Sequence, residues 1–391
     1  MKRHDKLAET IPVGTLGILA LESSKEMGKR VNDYIVDWRN ERAENHTTAS
    51  SFAGYNRDSF IIDSACPRFG SGEAKGIICE SVRGDDLYLL VDVCNYSLTY
   101  KVCGQTNHMS PDDHYQDLKR IIAAVGGKAR RITVIMPYLY EGRQHLRLIN
   151  ESLDCAQALQ ELVAMGVETI ITFDAHDNRV QNAIPNNGFD NFYTSYQFIQ
   201  KILETNTDMV VDEDHLTIVS PDEGGMRRAV YYASLLGVDM GMFYRRRNYS
   251  TMINGEHPVV SVEFLGKDVA NKDVIIIDDM IASGETMLGV AKELKKRNAR
   301  KVILCATFGL FSNGIKHLDE AYKEGLFDYV YTTNLCYCPK ELLEKPYYHN
   351  VDLSRYIALI IDTLNHDTSV NDILDATKRI QELVDKRNKT V

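Results

Sequence analysis

The chain has 391 residues, and at roughly 100 to 200 residues per domain that length predicts two domains or three and excludes a single small one. Apolar residues make up 44% and charged residues 26%, with 25 Gly and 9 Pro, which are the proportions of a globular chain rather than a disordered or fibrous one. The 45 Lys and Arg against 55 Asp and Glu leave a net charge of -10, which opposes nonspecific attraction to phosphate backbones or anionic lipid and argues against nucleic acid as a partner.

In chain order, Lys2 and Arg3 precede an apolar stretch that is broken by Glu9 and ends by Glu22. No window approaches about 18 apolar residues, so neither an export signal nor a membrane span is expected. Gly17–Leu21 reads as a strand, followed by a capping-box pattern at Ser23–Glu26 and a helix with Met27, Val31, Tyr34 and Ile35 at helical spacing. Residues 40–57 are polar and small and read as a loop or insertion. Ile132–Met136 reads as a buried strand, Ser152 as the cap of a helix that turns Ala156, Leu159, Leu162 and Val163 inward, and Gly166 as its stop. Thr169–Phe173, Leu216–Val219, a run near Met240–Tyr244, Asp273–Ile277 and Lys301–Cys305 are further strands. Helices are expected through Ala229 and Leu235 and, in the last βαβ unit, with Met287, Val290, Ala291 and Leu294 inward.

Strands alternating with amphipathic helices predict an α/β fold, each domain a mainly parallel sheet flanked by helices. A duplicated fold with a boundary near 195–212 follows, giving an N-terminal domain over 1–200, a C-terminal domain over 201–350 and a helical tail over 351–391 that packs back on the first domain. The eight cysteines are scattered, and only Cys336 and Cys338 lie close together, without a second pair at zinc-site spacing. Reduced thiols in a cytoplasmic protein are expected.

Polar clusters follow the strands directly: Asp174–Asp177, Asp222–Gly225, Arg245–Arg247 and Asp278–Thr286. In open α/β sheets ligands bind beyond the carboxyl ends of strands, so these groups are expected to converge on one crevice. The strongest segment runs from Val274 to Thr286, a buried strand ending in Asp278 and Asp279 before a turn that opens a helix. Two carboxylates offer acceptors to ribose hydroxyls, and a helix start offers N–H groups and a positive dipole end to a phosphate. Strand, acidic pair and helix in this order resemble the phosphoribosyl-diphosphate loop of the type I phosphoribosyltransferase superfamily.

Further segments narrow the resemblance. Arg68-Phe-Gly-Ser-Gly-Glu73 with Glu80-Ser-Val-Arg-Gly84, Met136–Gln144, Phe173-Asp-Ala-His176 and Ser220-Pro-Asp222 are similar, in consistent order over roughly residues 15–375, to the ribose-phosphate diphosphokinase family. The resemblance implies two phosphoribosyltransferase-like domains and transfer of a diphosphoryl group from ATP to ribose 5-phosphate. It implies ATP at Phe69, Ser71, Gly72, Glu73, Arg143 and Gln144, and ribose 5-phosphate at Asp278, Asp279, Ala282, Ser283, Gly284, Glu285 and Thr286. It also implies Mg²⁺ at His176 and Asp222 and catalytic cations at Arg245 and Arg247. A histidine is an unusual ligand for so hard an ion. Because the family's hairpin belongs to a neighbouring subunit, a homo-oligomer built from dimers, such as a hexamer, is expected.

The sequence departs from the family at several points. Arg245 stands where the family has a catalytic Lys, a fork in place of a compact point charge. His145–Glu151 holds one Lys or Arg where the family has a mobile loop rich in both. Ala282 and Glu285 replace an Asp and a Gly of the sugar-phosphate loop, and Glu285 either faces solvent or acts as a helix-start carboxylate. Ser71 replaces the hairpin's Asp, and residues 248–272 carry extra loop length. Three readings follow: a diphosphokinase, a catalytically weakened homologue that binds the same ligands or regulates an active partner, and a phosphoribosyltransferase.

Overall fold

A computed structural model describes residues 7–247 and 259–389. They divide into two compact units, the first running to Tyr193 and including Asn334–Tyr337 and Asp352–Leu374, the second comprising Thr194–Thr333, Cys338–Val351 and the residues from Asp375 onward. The extra loop expected at 248–272 lies outside the described residues as far as 258.

In the first unit, strands β1 (Leu16–Ala20), β2 (Asp86–Leu90), β3 (Arg131–Ile135), β4 (Thr169–Phe173) and β5 (Gly188–Phe192) lie side by side in chain order, all parallel. Their apolar runs are nearly unbroken because a parallel sheet is covered on both faces. Leu19, Leu89, Val134 and Ile170 share one core with Leu118 and Ile122 of helix α2 (Pro111–Val125) and with Leu159 and Leu162 of helix α3 (Asp154–Ala164). α3 buries Cys155, Ala158, Leu159 and Leu162, a face rotated slightly from the expected one. Ser152 does not cap it; its hydroxyl donates to Asp154 instead, at 2.6 Å.

Helix α1 covers Lys25–Glu44, so it continues through the first part of the stretch read as a loop from residue 40. Its last turns bury Arg39 and Arg42 rather than apolar residues, and hydrophobic periodicity therefore misses them. Arg39 donates two hydrogen bonds of 3.1 Å to Asp362 Oδ1 and a third of 2.7 Å to Asn365, on the helix Ser354–Asn365. Arg42 binds Asp362 Oδ2 and the Tyr55 hydroxyl. Asn365 in turn donates to Asp86 at 2.9 Å, and Arg131 grips the same carboxylate with bonds of 2.7 and 2.8 Å. The expected capping box at Ser23–Glu26 does not form: α1 begins after a 3₁₀ turn at Glu22–Ser24, and Ser23 Oγ accepts the Asp92 N–H at 3.1 Å.

In the second unit, seven strands lie in the order β8 (Val259–Leu265), β7 (Asp239–Arg247), β6 (Leu216–Ser220), β9 (Asp273–Ile281), β10 (Lys301–Gly309), β11 (Tyr329–Thr333), β12 (Tyr348–Val351). All neighbours are parallel except the edge pair β7 and β8, so part of the stretch expected as extra loop is an antiparallel edge strand. From β6 the chain moves outward to β7 and β8, then crosses back to β9 on the opposite side of β6. This reversal opens a crevice at the carboxyl ends of β6 and β9. Helices α4 (Ser195–Thr205), α5 (Met226–Leu236), α6 (Glu285–Lys296) and α7 (Lys316–Lys323) belong to this unit. α6 buries Met287, Val290, Ala291 and Leu294, the face its spacing predicts. The tail divides: Ser354–Asn365 packs on α1 in the first unit, and Thr377–Asn388 packs on α4 and α5 in the second.

Candidate active site

The crevice of the second unit is acidic. β9 extends four residues beyond its apolar run because Asp278, Met280 and Ile281 keep their pairing with Ala306, Phe308 and Gly309 of β10. Asp279 is 4% exposed, and its N–H donates to Asp278 Oδ1 at 2.9 Å. Burial, then repulsion from Asp279, pushes the Asp278 carboxyl well above the usual carboxylate range, and Asp222 adds to the effect. The Arg228 guanidinium, 3.7 Å away on α5, opposes it. Asp222 follows β6 in a tight turn whose Oδ1 accepts the N–H groups of Gly224 (2.9 Å) and Gly225 (3.2 Å). The structure thus brings Asp222, Asp278 and Asp279 together at the switch point, where a cation would relieve the repulsion that raises Asp278.

The turn into α6 is pinned from one side. The Ile281 carbonyl accepts the N–H groups of Leu310 and Phe311, at 2.9 and 3.2 Å, and the Ala282 carbonyl accepts that of Ser312 at 3.0 Å. Gly284 caps the helix at φ +84°, a left-handed conformation suited to glycine, and a Cβ there would lie 3.0 Å from His317 Nε2. That nitrogen is buried and has no hydrogen-bond partner among the described residues. Ser283 Oγ accepts the Glu285 N–H at 3.4 Å, while the Glu285 side chain is exposed at the helix start. Thr286 follows in the first turn, half-buried.

In the first unit, candidates gather at the ends of β3 and β4. Asp174 leaves β4 at φ +44°, an uncommon conformation for a residue other than glycine, and the chain then presents His176 to solvent. The His176 ring lies 5.3 Å from that of His145, centroid to centroid. His145 Nδ1 approaches the Arg143 carbonyl at 3.1 Å and Nε2 approaches Asp177 at 3.5 Å. A bidentate contact from the Arg179 guanidinium holds the Asp177 carboxyl down to about 2. Arg143 and Gln144 are both exposed on this loop, and Leu146, Leu148 and Ile149 beyond them also face solvent.

The segment Arg68–Glu73 is a tight hairpin, with Phe69 N donating to the Glu73 carbonyl at 2.7 Å and Gly72 N to the Phe69 carbonyl at 2.9 Å. Ser71 donates to Glu73 at 3.0 Å. Phe69 is 50% exposed, so it is a surface ring open to a ligand. Arg245 and Arg247 lie on β7 opposite Val262 and Val259 of β8; their side chains lie outside the described residues. Sequence reasoning missed Arg228 and His317. Arg228 could have been found from its place in the first turn of the helix that follows the Asp222–Gly225 cluster, whereas no local signal marks His317. Among the described residues no three His, Cys, Asp or Glu side chains form a ready-made metal cage, and no helix is long and apolar enough to cross a membrane.

Comparison with known proteins agrees with this division. Residues 16–166 match the N-terminal domain of ribose phosphate pyrophosphokinase and residues 194–328 match the phosphoribosyl transferase domain. The ribose-phosphate pyrophosphokinase of Mycoplasma pneumoniae is 30% identical over 268 residues, 68% of this chain and 74% of that protein. The enzyme of the same name from Vibrio parahaemolyticus is 28% identical over 318 residues, 79% of this chain and 90% of that protein. In fold, the chain matches phosphoribosylpyrophosphate synthetase from Mycobacterium smegmatis with a TM-score of 0.69 and 22% identity, covering 90% of this chain and 99% of that one.

Proposed function

Because the chain belongs to the ribose-phosphate pyrophosphokinase family, we propose that it transfers the β,γ-diphosphoryl group of ATP to the anomeric hydroxyl of ribose 5-phosphate, giving phosphoribosyl diphosphate and AMP. The observation that carries this reading is the acidic end of β9, where Asp278 and Asp279 lead through the Gly284 turn into α6. The two carboxylates accept hydrogen bonds from the ribose hydroxyls, and the loop Ala282–Thr286 receives the 5-phosphate at the helix start. Phe69, Ser71, Gly72 and Glu73 hold the nucleotide with Arg143 and Gln144. Phe69 offers a face to the base, and the Arg143 fork takes phosphate oxygens.

The hydroxyl oxygen forms a bond to the β-phosphorus while the bond from that phosphorus to the oxygen bridging the α-phosphate breaks, and AMP leaves. Charge spreads over the transferred group, so positioning and cationic stabilisation are what the protein contributes. Arg245 and Arg247 supply cations. The acidic residues suit Mg²⁺, a hard ion that takes oxygen ligands and keeps several waters, so it needs few protein ligands. Asp222 would hold it in the second unit, and its charge would offset that of the triphosphate; His176, the other expected ligand, belongs to the first unit. A homo-oligomer built from dimers and a cytoplasmic setting complete the reading.

A second reading, a homologue that binds these ligands with weakened turnover, is favoured by the loop after Gln144, where Ile149 is 91% exposed and Arg147 is the cation among exposed aliphatic side chains. One assay separates the two. Purified protein with Mg²⁺, ATP and ribose 5-phosphate should yield AMP and phosphoribosyl diphosphate in equal amounts, and Arg247→Ala should lower kcat more than it raises the KM for ATP. Nucleotide binding without product would select the second reading, and failure to bind either ligand would overturn both.

A further inference from the structure

Next to the Arg68–Glu73 hairpin stands a second small element with no assigned role. Strands Thr99–Val102 and Gln105–His108 pair antiparallel as a ribbon, joined by Cys103 and Gly104, both at positive φ (50° and 79°), as a two-residue hairpin turn requires. The ribbon touches the hairpin at both ends. At the base, the Arg68 guanidinium carbon lies 4.6 Å from the centroid of the Tyr100 ring, and Arg68 is itself bridged to Ala74 across the hairpin. Arg68 also pairs with Asp113 (3.5 Å) and Asp117 (3.3 Å) of α2, and the Tyr100 hydroxyl donates to Asp113 at 3.4 Å. At the tip, Gly72 turns at φ +91°, and a Cβ on it would meet Val102 Cγ2 at 3.1 Å, so the valine closes against the glycine backbone.

Between these two contacts in the hairpin comes Phe69, half exposed, its N–H donating to the Glu73 carbonyl and its carbonyl accepting the Gly72 N–H. A short loop that must order itself when a ligand arrives loses affinity to that ordering, whereas a loop already held in place does not.

We infer that the Thr99–His108 ribbon is a brace that pre-sets the hairpin for its nucleotide, making Tyr100 and Val102 positioning residues that act through Arg68 and Gly72. This rests on the reading of the hairpin as a nucleotide-binding element. Tyr100 works through its ring face toward Arg68, so the hydroxyl is dispensable and the aromatic face is not. The brace acts on binding and leaves the transfer step alone.

The test compares the wild-type protein with Tyr100→Ala, Tyr100→Phe, Val102→Ala and Phe69→Ala. The readouts are KM and kcat, and calorimetric binding of a nonhydrolysable ATP analogue with Mg²⁺. Tyr100→Ala should weaken analogue binding and raise the KM for ATP by about threefold to tenfold, with kcat and the KM for ribose 5-phosphate unchanged. Tyr100→Phe should restore wild-type affinity. If Tyr100→Ala does not fold, Val102→Ala carries the same expectation in the same direction, since it removes the contact under Gly72 from an exposed ribbon. Loss of nucleotide affinity in Phe69→Ala without loss in Tyr100→Ala and Val102→Ala would overturn the brace and leave the hairpin's role intact. Unchanged affinity in Phe69→Ala would overturn the hairpin's role and the brace together. A fall in kcat alone in Tyr100→Ala would also overturn it.

Discussion

Arg228 on α5 lies 3.7 Å from Asp278 on β9, near enough to temper the charge of the buried acidic pair and too far for a hydrogen bond. The Asp278 carboxyl therefore stays raised, with burial and Asp279 as the leading causes. That arrangement favours the protonated form of Asp278 until a neighbouring positive charge offsets the repulsion.

Stability and activity should diverge at Asp278. Its folded carboxyl holds a proton more tightly than it does in the unfolded chain, so the penalty for ionising it grows as pH climbs from the ordinary carboxylate range through the raised folded value. Asp278→Asn should abolish turnover yet raise Tm in the absence of ligand, by about 2–4 °C for each kcal/mol recovered, with a larger gain at mildly alkaline than at mildly acidic pH. Calorimetric melts at the two pH values check this; equal gains at both would contradict the sign.

Gly284→Ala should damage the sugar-phosphate side selectively. The residue sits at φ +84°, and the new methyl would stand 3.0 Å from His317 Nε2. A side chain held in that region costs about 1–3 kcal/mol, and the pinned loop leaves little room to relax. The KM for ribose 5-phosphate should rise while that for ATP stays unchanged. Adding His317→Ala should recover the steric part and leave the dihedral part; full recovery would show that backbone conformation is irrelevant there.

Asp362 should be among the most sensitive positions in the chain. It is fully buried between Arg39 and Arg42, and despite the cost of burial those two guanidiniums hold its carboxyl down to about 2. Asp362→Ala leaves two buried cations without their partner and should cost about 3–5 kcal/mol, read as a fall in Tm. The wild-type contribution is present at neutral pH and is lost as acid takes the pH below the ordinary carboxylate range toward 2. A variant as stable as wild type would show that the arginines find other partners.

The strands at Thr169–Phe173 and Leu216–Ser220 and the inward face of α6 were legible in the sequence because continuous apolar runs and helical spacing report burial directly. The acidic pair was legible for the same reason, standing just beyond such a run. The buried turns of α1 at Arg39 and Arg42 were not, because their partner is 320 or more positions away and a polar core leaves no periodicity. β2 was missed, since its run Asp86–Leu90 opens on a buried carboxylate. The expected caps at Ser23 and Ser152 failed because nearby groups, Asp92 N–H and Asp154, compete for the same hydroxyls. His317 reaches Gly284 from another helix, and only folding reveals it.

The path of the chain has a consequence for its biosynthesis. The first unit draws its closing helix, Ser354–Asn365, from beyond nearly all of the second, so the carboxylate that neutralises Arg39 and Arg42 emerges from the ribosome long after they do. The amino-terminal sheet cannot reach its final stability while translation is under way, and chains cut short before Asp362 should be cleared by proteases rather than accumulate as a half-protein.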